Sequence, residues 1–413
     1  MKICIHRGTH EIGGTCVELE SQGERIVLDI GSPLNVSDTD ALPLYPVLGF
    51  DRPNSSLLGV IISHPHQDHY GLAYRLPKET TFLIGKAAEA ILAAADLFTP
   101  AGLNLKHVIH LQDRQPVTLG PFTITPYLVD HSAYDSYAVL VEADGKRLFY
   151  SGDFRAHGRK SKLVERLIAD APKNVDMLLM EGTTLGRIDG KAYPTEDDLT
   201  KRFVELIGKT QGLTLVWASG QNIDRLVTLF KACRGAKRTL VLDMYTAQVL
   251  RAIGNPNLPQ AGWDGVKVFL PGSQRYRIIK EERFDLADHF KPYRVYPEQL
   301  VAEAQSHVML FRPSMIRDLQ KMERLSIGRL ICSVWKGYLD DDRNPKLIDW
   351  LKERNIPLDH CHTSGHAAVE DLVAMRNAFP EASVVPVHTD VPDRFEQQFG
   401  NARCLEDKQW ADV

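Results

Sequence analysis

The stretch SHPHQDHYG, residues 63–71, follows the apolar run LGVII and sets His64, His66, Asp68 and His69 within six positions. With 15 histidines in 413 residues, such crowding is not a product of composition. A strand ending in this kind of turn aims imidazoles and a carboxylate into one pocket. Borderline-soft divalent ions such as Zn²⁺ or Mn²⁺ prefer those donors. The plainer reading is a polar loop of satisfied histidines. Other apolar runs end in a similar way: Asp29 closes RIVLD, His131 closes TPYLVDH, Asp153 closes LFYSGD and Glu181 closes MLLME. Repetition of this pattern predicts strands that deliver side chains to one rim of a sheet. Taken singly, His131 reads as a satisfied strand-end histidine and Asp153, in Ser-Gly-Asp, as a turn former.

Around these motifs the chain is 44% hydrophobic and 25% charged, with 29 Gly and 23 Pro, which excludes disordered and collagen-like classes. At roughly 100–200 residues per domain, the length predicts two domains or one domain carrying an insertion. A formal charge of −4 excludes a general basic coat for nucleic acid but leaves room for a local patch. No apolar run reaches the roughly 20 residues of a membrane span, and MKICIHRGTHEIGG lacks a signal-peptide core. The six cysteines form no C-x-x-C pair, so reduced thiols and a cytoplasmic setting are expected. Short strands dominate up to about residue 185. Amphipathic helices such as PTEDDLTKRFVELIGKT and NIDRLVTLFKACRGAK then alternate with strands such as LTLVWAS, and two helices flank ASVVPVH near the end.

His64, His66, Asp68 and His69 match the H-x-H-x-D-H signature of the metallo-β-lactamase superfamily, and the chain resembles that superfamily here. The resemblance implies an αβ/βα sandwich with two divalent metal ions, Zn²⁺ or Mn²⁺. His64, His66 and His131 would hold one ion, Asp68 and His69 the other, with Asp153 bridging. Asp29 would orient ligand histidines; a plain turn aspartate is its alternative. No histidine lies between His157 and His289, and the plausible remaining ligand is His388 in VVPVHT, beyond a large insertion.

That layout resembles the β-CASP nucleases, the group that includes ribonuclease J. Glu181 in MEGTT corresponds to its acidic motif A, His366 in HTSGHA to motif B and His388 to motif C. The fold class implied is α/β. Residues 1–185 form the first part of a metallo-β-lactamase domain, 186–346 an inserted α/β β-CASP domain, and 347–413 the completing segment. A histidine at motif C favours RNA over DNA, by resemblance.

The implied function is a ribonuclease that hydrolyses single-stranded RNA through a two-metal-activated water. Asp68 is expected to handle the water, and His366, kept in its tautomer by Glu181, to donate a proton to the leaving oxygen. Expected substrate contacts are Arg155 in FRAHGRKSK, His362, Ser364 and Gly365 before the AAVEDL helix, and Ser219 and Arg225 in ASGQNIDRL. Charge runs are more often solvated faces, and Ser364 also suits a helix N-cap. Competing readings are a DNA nuclease, a small-molecule ester or thioester hydrolase, and a non-catalytic RNA-binding relative. Monomer and homodimer both remain open, and no membrane partner is expected.

Overall fold

The computed structural model describes all residues except 35, 37–38, 101, 187–193 and 340–343. It divides into two compact units. The first comprises residues 1–93, 103–193 and 365–413, and the second residues 94–102 and 194–364.

Two sheets build the first unit. One contains β1 (Lys2–Arg7), β2 (Cys16–Ser21), β3 (Glu24–Leu28), β4 (Leu57–Ile61), β5 (Thr81–Gly85), β6 (His107–Leu111) and β19 (Trp410–Asp412), in the order β19-β1-β2-β3-β4-β5-β6. The other contains β7 (Val117–Leu119), β8 (Phe122–Val129), β9 (Ser136–Ala143), β10 (Lys146–Tyr150), β11 (Met177–Glu181) and β18 (Ser383–Val387), in the order β18-β11-β10-β9-β8-β7. Alternation along each strand explains why the sheets stack. Ile3, Ile5, Val17, Leu19, Ile26 and Leu28 of the first sheet share a core with Tyr137, Val139, Val141, Met177 and Leu179 of the second. The intervening residues face outward and are covered by helices. Val27, Val60 and Phe82 pack with Ala88 and Leu92 of the helix Lys86–Asp96. Ala138, Leu140, Leu178 and Met180 pack with Val164 and Leu167 of the helix Ser161–Ala169 and with Leu372 and Met375 of the helix Val369–Ala378. The result is an αβ/βα sandwich. Pro386, which cannot donate to a ladder, sits in β18 at the edge of its sheet.

The second unit is built on a six-stranded, wholly parallel sheet. Its strands are β12 (Leu213–Trp217), β13 (Thr239–Asp243), β14 (Val266–Phe269), β15 (His307–Phe311), β16 (Ile327–Cys332) and β17 (Leu358–His360), in the order β14-β13-β15-β12-β16-β17. This compact unit runs to residue 364, past the 346 expected from the sequence. The helix Pro345–Glu353 plants Leu347, Trp350 and Leu351 in the core around Leu213, Leu215 and Phe311. β17 then pairs in parallel with β16. The first residues expected of the insertion, 187–193, lie outside the described ones.

Candidate metal centre

Every expected metal-binding side chain of the first unit stands at or just beyond the C-terminal end of a strand. Asp29 follows β3, His64 to His69 follow β4, His131 follows β8, Asp153 follows β10, and His388 follows β18. Glu181 is the last residue of β11. Two glycines permit the close approach. A Cβ on Gly31 would stand 1.7 Å from the Asp68 carbonyl oxygen, where the 66–69 segment folds back on the chain after β3. Gly152 adopts φ +53°, the left-handed turn that aims Asp153 inward. Asp29 and His388 also take positive φ, 59° and 55°, in a region that costs a non-glycine residue about 1–3 kcal/mol.

The side chains converge in overlapping groups. His64, His66 and His131 can each place a ligand atom within 4.8 Å of the others, as can Asp68, His69, Asp153 and His388. A third group joins Asp153 and His388 to Glu181 and His366. His131 Nε2 lies 3.1 Å from His66 Nδ1, and His388 Nε2 lies 3.2 Å from Asp68 Oδ2.

A buried scaffold orients several of these rings. The Asp29 carboxylate, fully buried, accepts from Ser63 N and Ser63 Oγ at 2.7 Å each, from Tyr150 Oη at 2.7 Å and from His69 Nδ1 at 2.8 Å. Ser63 Oγ, its own proton given to Asp29, lies 3.0 Å from His64 Nδ1. Both rings therefore turn Nε2 toward the cluster. Thr183 Oγ1 sits 2.9 Å from His388 Nδ1. Glu181 accepts from Phe154 N at 3.1 Å and pairs with His366 Nδ1 at 3.2 Å.

The centre passes a simple test for a cation. His64 Nε2, His69 Nε2, His131 Nδ1 and both Asp153 carboxylate oxygens are buried and make no hydrogen bond. Buried polar atoms rarely go without a hydrogen-bond partner; His69 Nε2 lies 3.2 Å and His64 Nε2 3.6 Å from Asp153 Oδ2, and a shared cation would satisfy these atoms together. The donor set of imidazole and carboxylate suits a divalent metal. Electrostatics agree for three of the rings. Burial drives the His64, His66 and His131 imidazoles away from protonation, with His66 lowered to about 4. Burial opposes charge on His69, but the Asp153 and Asp29 carboxylates outweigh it and raise its pKa. Asp153 is held well below the usual carboxylate range: burial works against its charge, and His388, His69 and His366 overcome it. His366 is pushed up to about 9, because Glu181 and Asp153 outweigh burial.

Gly365 also reaches this cluster, since a Cβ there would stand 3.4 Å from His131 Cε1. The five other expected substrate contacts are placed as follows. Arg155 is fully buried and ion-paired with Asp130 at 3.5 Å, so it offers nothing to a solvent-borne phosphate. Arg225 is likewise buried in the second unit. It spans Glu196 with Nε and Nη2 at 3.3 and 3.1 Å and donates to the Ser333 carbonyl. The helix after HTSGHA starts at Val369, so Ser364 neither caps it nor stands at its N-terminus. His362 lies in the second unit, Nδ1 3.2 Å from the Ser333 carbonyl, and burial lowers its pKa to about 3. Ser219 is exposed there, with Oγ accepting from Gln221 N. Ser63, Tyr150 and Thr183 were missed. Their contacts cross from strand to strand, and only the apolar-to-polar switch beside each motif hints at them.

The fold and the centre resemble those of the metallo-β-lactamase superfamily. The Beta-lactamase superfamily domain model matches residues 35–193. A crystal structure of a protein of unknown function from Enterococcus faecalis shares the fold, with a TM-score of 0.76 at 18% identity over 99% of both chains. Ribonuclease J of Mycoplasma pneumoniae is 26% identical over 418 residues, 94% of this chain and 67% of that protein. Ribonuclease J of Helicobacter pylori is 26% identical over 234 residues, 55% of this chain and 34% of that protein. These likenesses support the resemblance to the β-CASP branch of that superfamily. The match to the Helicobacter protein spans about a third of that relative's length. Among the described residues no helix is long and apolar enough to cross a membrane.

Proposed function

We propose that the chain is a metal-dependent ribonuclease that hydrolyses phosphodiester bonds of single-stranded RNA. One observation carries this reading: Asp153 is shared between a four-donor group with Asp68, His69 and His388 and the group containing Glu181 and His366. In this reading His64, His66 and His131 hold one divalent ion and Asp68, His69 and His388 the other, with Asp153 between them. Zn²⁺ and Mn²⁺ both suit these donors. Bound divalent ions acidify water and neutralise phosphate oxygens.

The protein's own groups supply the proton traffic. Asp68, whose side chain is 14% exposed, holds the attacking water and accepts its proton. His366, 23% exposed, is raised to about 9 and carries a proton at neutral pH. Glu181 takes the hydrogen bond from Nδ1, which assigns donation to the leaving 3′ oxygen to Nε2. The ribonuclease J relatives support RNA as the substrate.

The test is cleavage of a 5′-phosphorylated single-stranded RNA and the same sequence as DNA, each labelled at either end, with Zn²⁺ or Mn²⁺ present. RNA is cut, and cleavage vanishes in Asp68→Ala. His366→Ala keeps its metal and loses about 10²–10⁴-fold in rate. Cutting of DNA alone overturns the substrate. Inertness toward both, with metal bound, overturns the nuclease.

A further inference from the structure

A second group of reactive side chains lies in the first unit, on the face of the first sheet that turns away from the sandwich core. Ile3 and Ile5 of β1 fill that core, so the two-residue period turns Cys4 and His6 outward together. Farther along the sheet the outward positions are apolar, as at Val27 and Val60. Here they line a cavity of about 260 Å³ with Glu18 and Arg25 on its wall and Leu48 and Trp410 beside them.

Three contacts run in series. Cys4 Sγ lies 4.0 Å from His6 Nδ1, His6 Nε2 lies 2.7 Å from Glu18 Oε2, and Glu18 Oε1 accepts from Arg25 Nε at 3.0 Å. Strand register sets the row: Cys4 stands opposite Glu18 on β2 and opposite Trp410 on β19. His6 and Glu18 are 4% and 3% exposed. Burying such groups costs more than burying the apolar residues found on the rest of this face, and the metal centre uses none of them. Thiol, imidazole and carboxylate in this order, each imidazole nitrogen given to a different neighbour, is the arrangement of an activated cysteine nucleophile.

We propose that Cys4 is the nucleophile of a covalent site that captures small acyl groups from activated esters or thioesters, with His6 as its base and Glu18 as a positioning residue. The sulfur attacks the acyl carbon while its proton passes to His6 Nδ1, and the Glu18 carboxylate stabilises the imidazolium at Nε2. The bond from the acyl carbon to the leaving oxygen or sulfur then breaks, and the leaving group takes the proton from His6. The products are a Cys4 thioester and a free alcohol or thiol. Burial, reinforced by Glu18 and Asp407, pushes the Cys4 thiol up to about 11. The resting thiol therefore keeps its proton, which moves only as the sulfur–carbon bond forms. The cavity is smaller than the roughly 300–1,000 Å³ of pockets for drug-sized ligands, which restricts the acyl group to a few carbons. Half-exposed Leu48 and Trp410 give it an apolar wall.

The experiment treats the full-length, metal-loaded chain with p-nitrophenyl acetate in a Cys404→Ser background, because Cys404 is exposed. Peptide mapping by mass spectrometry follows acetyl on Cys4. Cys4 is acetylated faster in the native protein than in the same protein unfolded in urea, and His6→Asn slows the native reaction about 10²-fold. Glu18→Gln lowers the maximal rate and leaves the half-saturating ester concentration unchanged. Asp68→Ala, which removes RNA cleavage, leaves the rate of Cys4 acetylation at the parent value, which separates this site from the metal centre. Protection of Cys4 by folding, or an unchanged rate in His6→Asn, overturns the proposal. The native-against-urea comparison stands even if a variant fails to fold.

Discussion

Two buried polar clusters, one in each unit, differ in what they leave over. In the second unit Arg225 and Glu196, 0% and 1% exposed, satisfy one another, and Thr228 Oγ1 adds a 2.6 Å hydrogen bond to the same carboxylate. In the first unit Asp29 is equally saturated, yet the side chains it helps to orient present, with those of Asp153 and His131, five buried nitrogen and oxygen atoms that meet the geometry of no hydrogen bond. A saturated cluster holds a fold together. A cluster whose scaffold is saturated and whose inner atoms are not is built around something absent from the chain itself. Charge and burial alone do not separate the two; the count of unmet partners does.

The contrast can be broken experimentally. One effect is expected where the unmet atoms lie. Divalent metal at a hundred times its Kd stabilises the protein by about 2.7 kcal/mol, so a chelator lowers the melting temperature. Asp153→Ala abolishes that metal-dependent shift, and calorimetry with and without chelator reads it. A shift that survives in the variant places the ion elsewhere. In the second unit, Arg225→Met strands the Glu196 carboxylate and costs about 3–5 kcal/mol of stability in urea denaturation, as for other broken buried pairs. Metal content, read by atomic absorption, stays at the parent value. A variant of full stability that has lost RNA binding would return Arg225 to the role expected from the sequence. The smallest effect belongs to the scaffold. Asp29→Asn keeps the shape and disturbs the tautomer of His69, weakening metal affinity about 10–100-fold by competition with a chromogenic chelator.

Much of the centre was legible because its chemistry is written in short runs. SHPHQDHYG alone announces four donors, and strand ends carry Asp29, His131, Asp153, Glu181 and His388. Illegible were groups whose meaning lies across space. Tyr150 reads as the last apolar residue of its strand, and only the fold brings its hydroxyl to Asp29. Arg155 and Arg225 looked like phosphate ligands because Asp130 and Glu196 lie 25 and 29 positions away in sequence. HTSGHA suggested a helix start, yet the chain stays extended at Ala368 and turns helical only at Val369. The second unit's sheet was partly readable from its apolar runs, while β17, with exposed Leu358 and His360, carries no such signal.

The order of the strands has a consequence for synthesis. β11 ends at Glu181, and its parallel neighbour β18 begins at Ser383, with residues 194–364 of the second unit encoded between them. On a ribosome adding about 5–20 residues per second, β11 waits roughly ten to forty seconds for that neighbour. Meanwhile its outer edge is open to any passing strand. His388 follows β18, so the centre gains its last donor only near the end of synthesis, before β19 closes the first sheet. A nascent chain with the remaining donors already in place still lacks one imidazole.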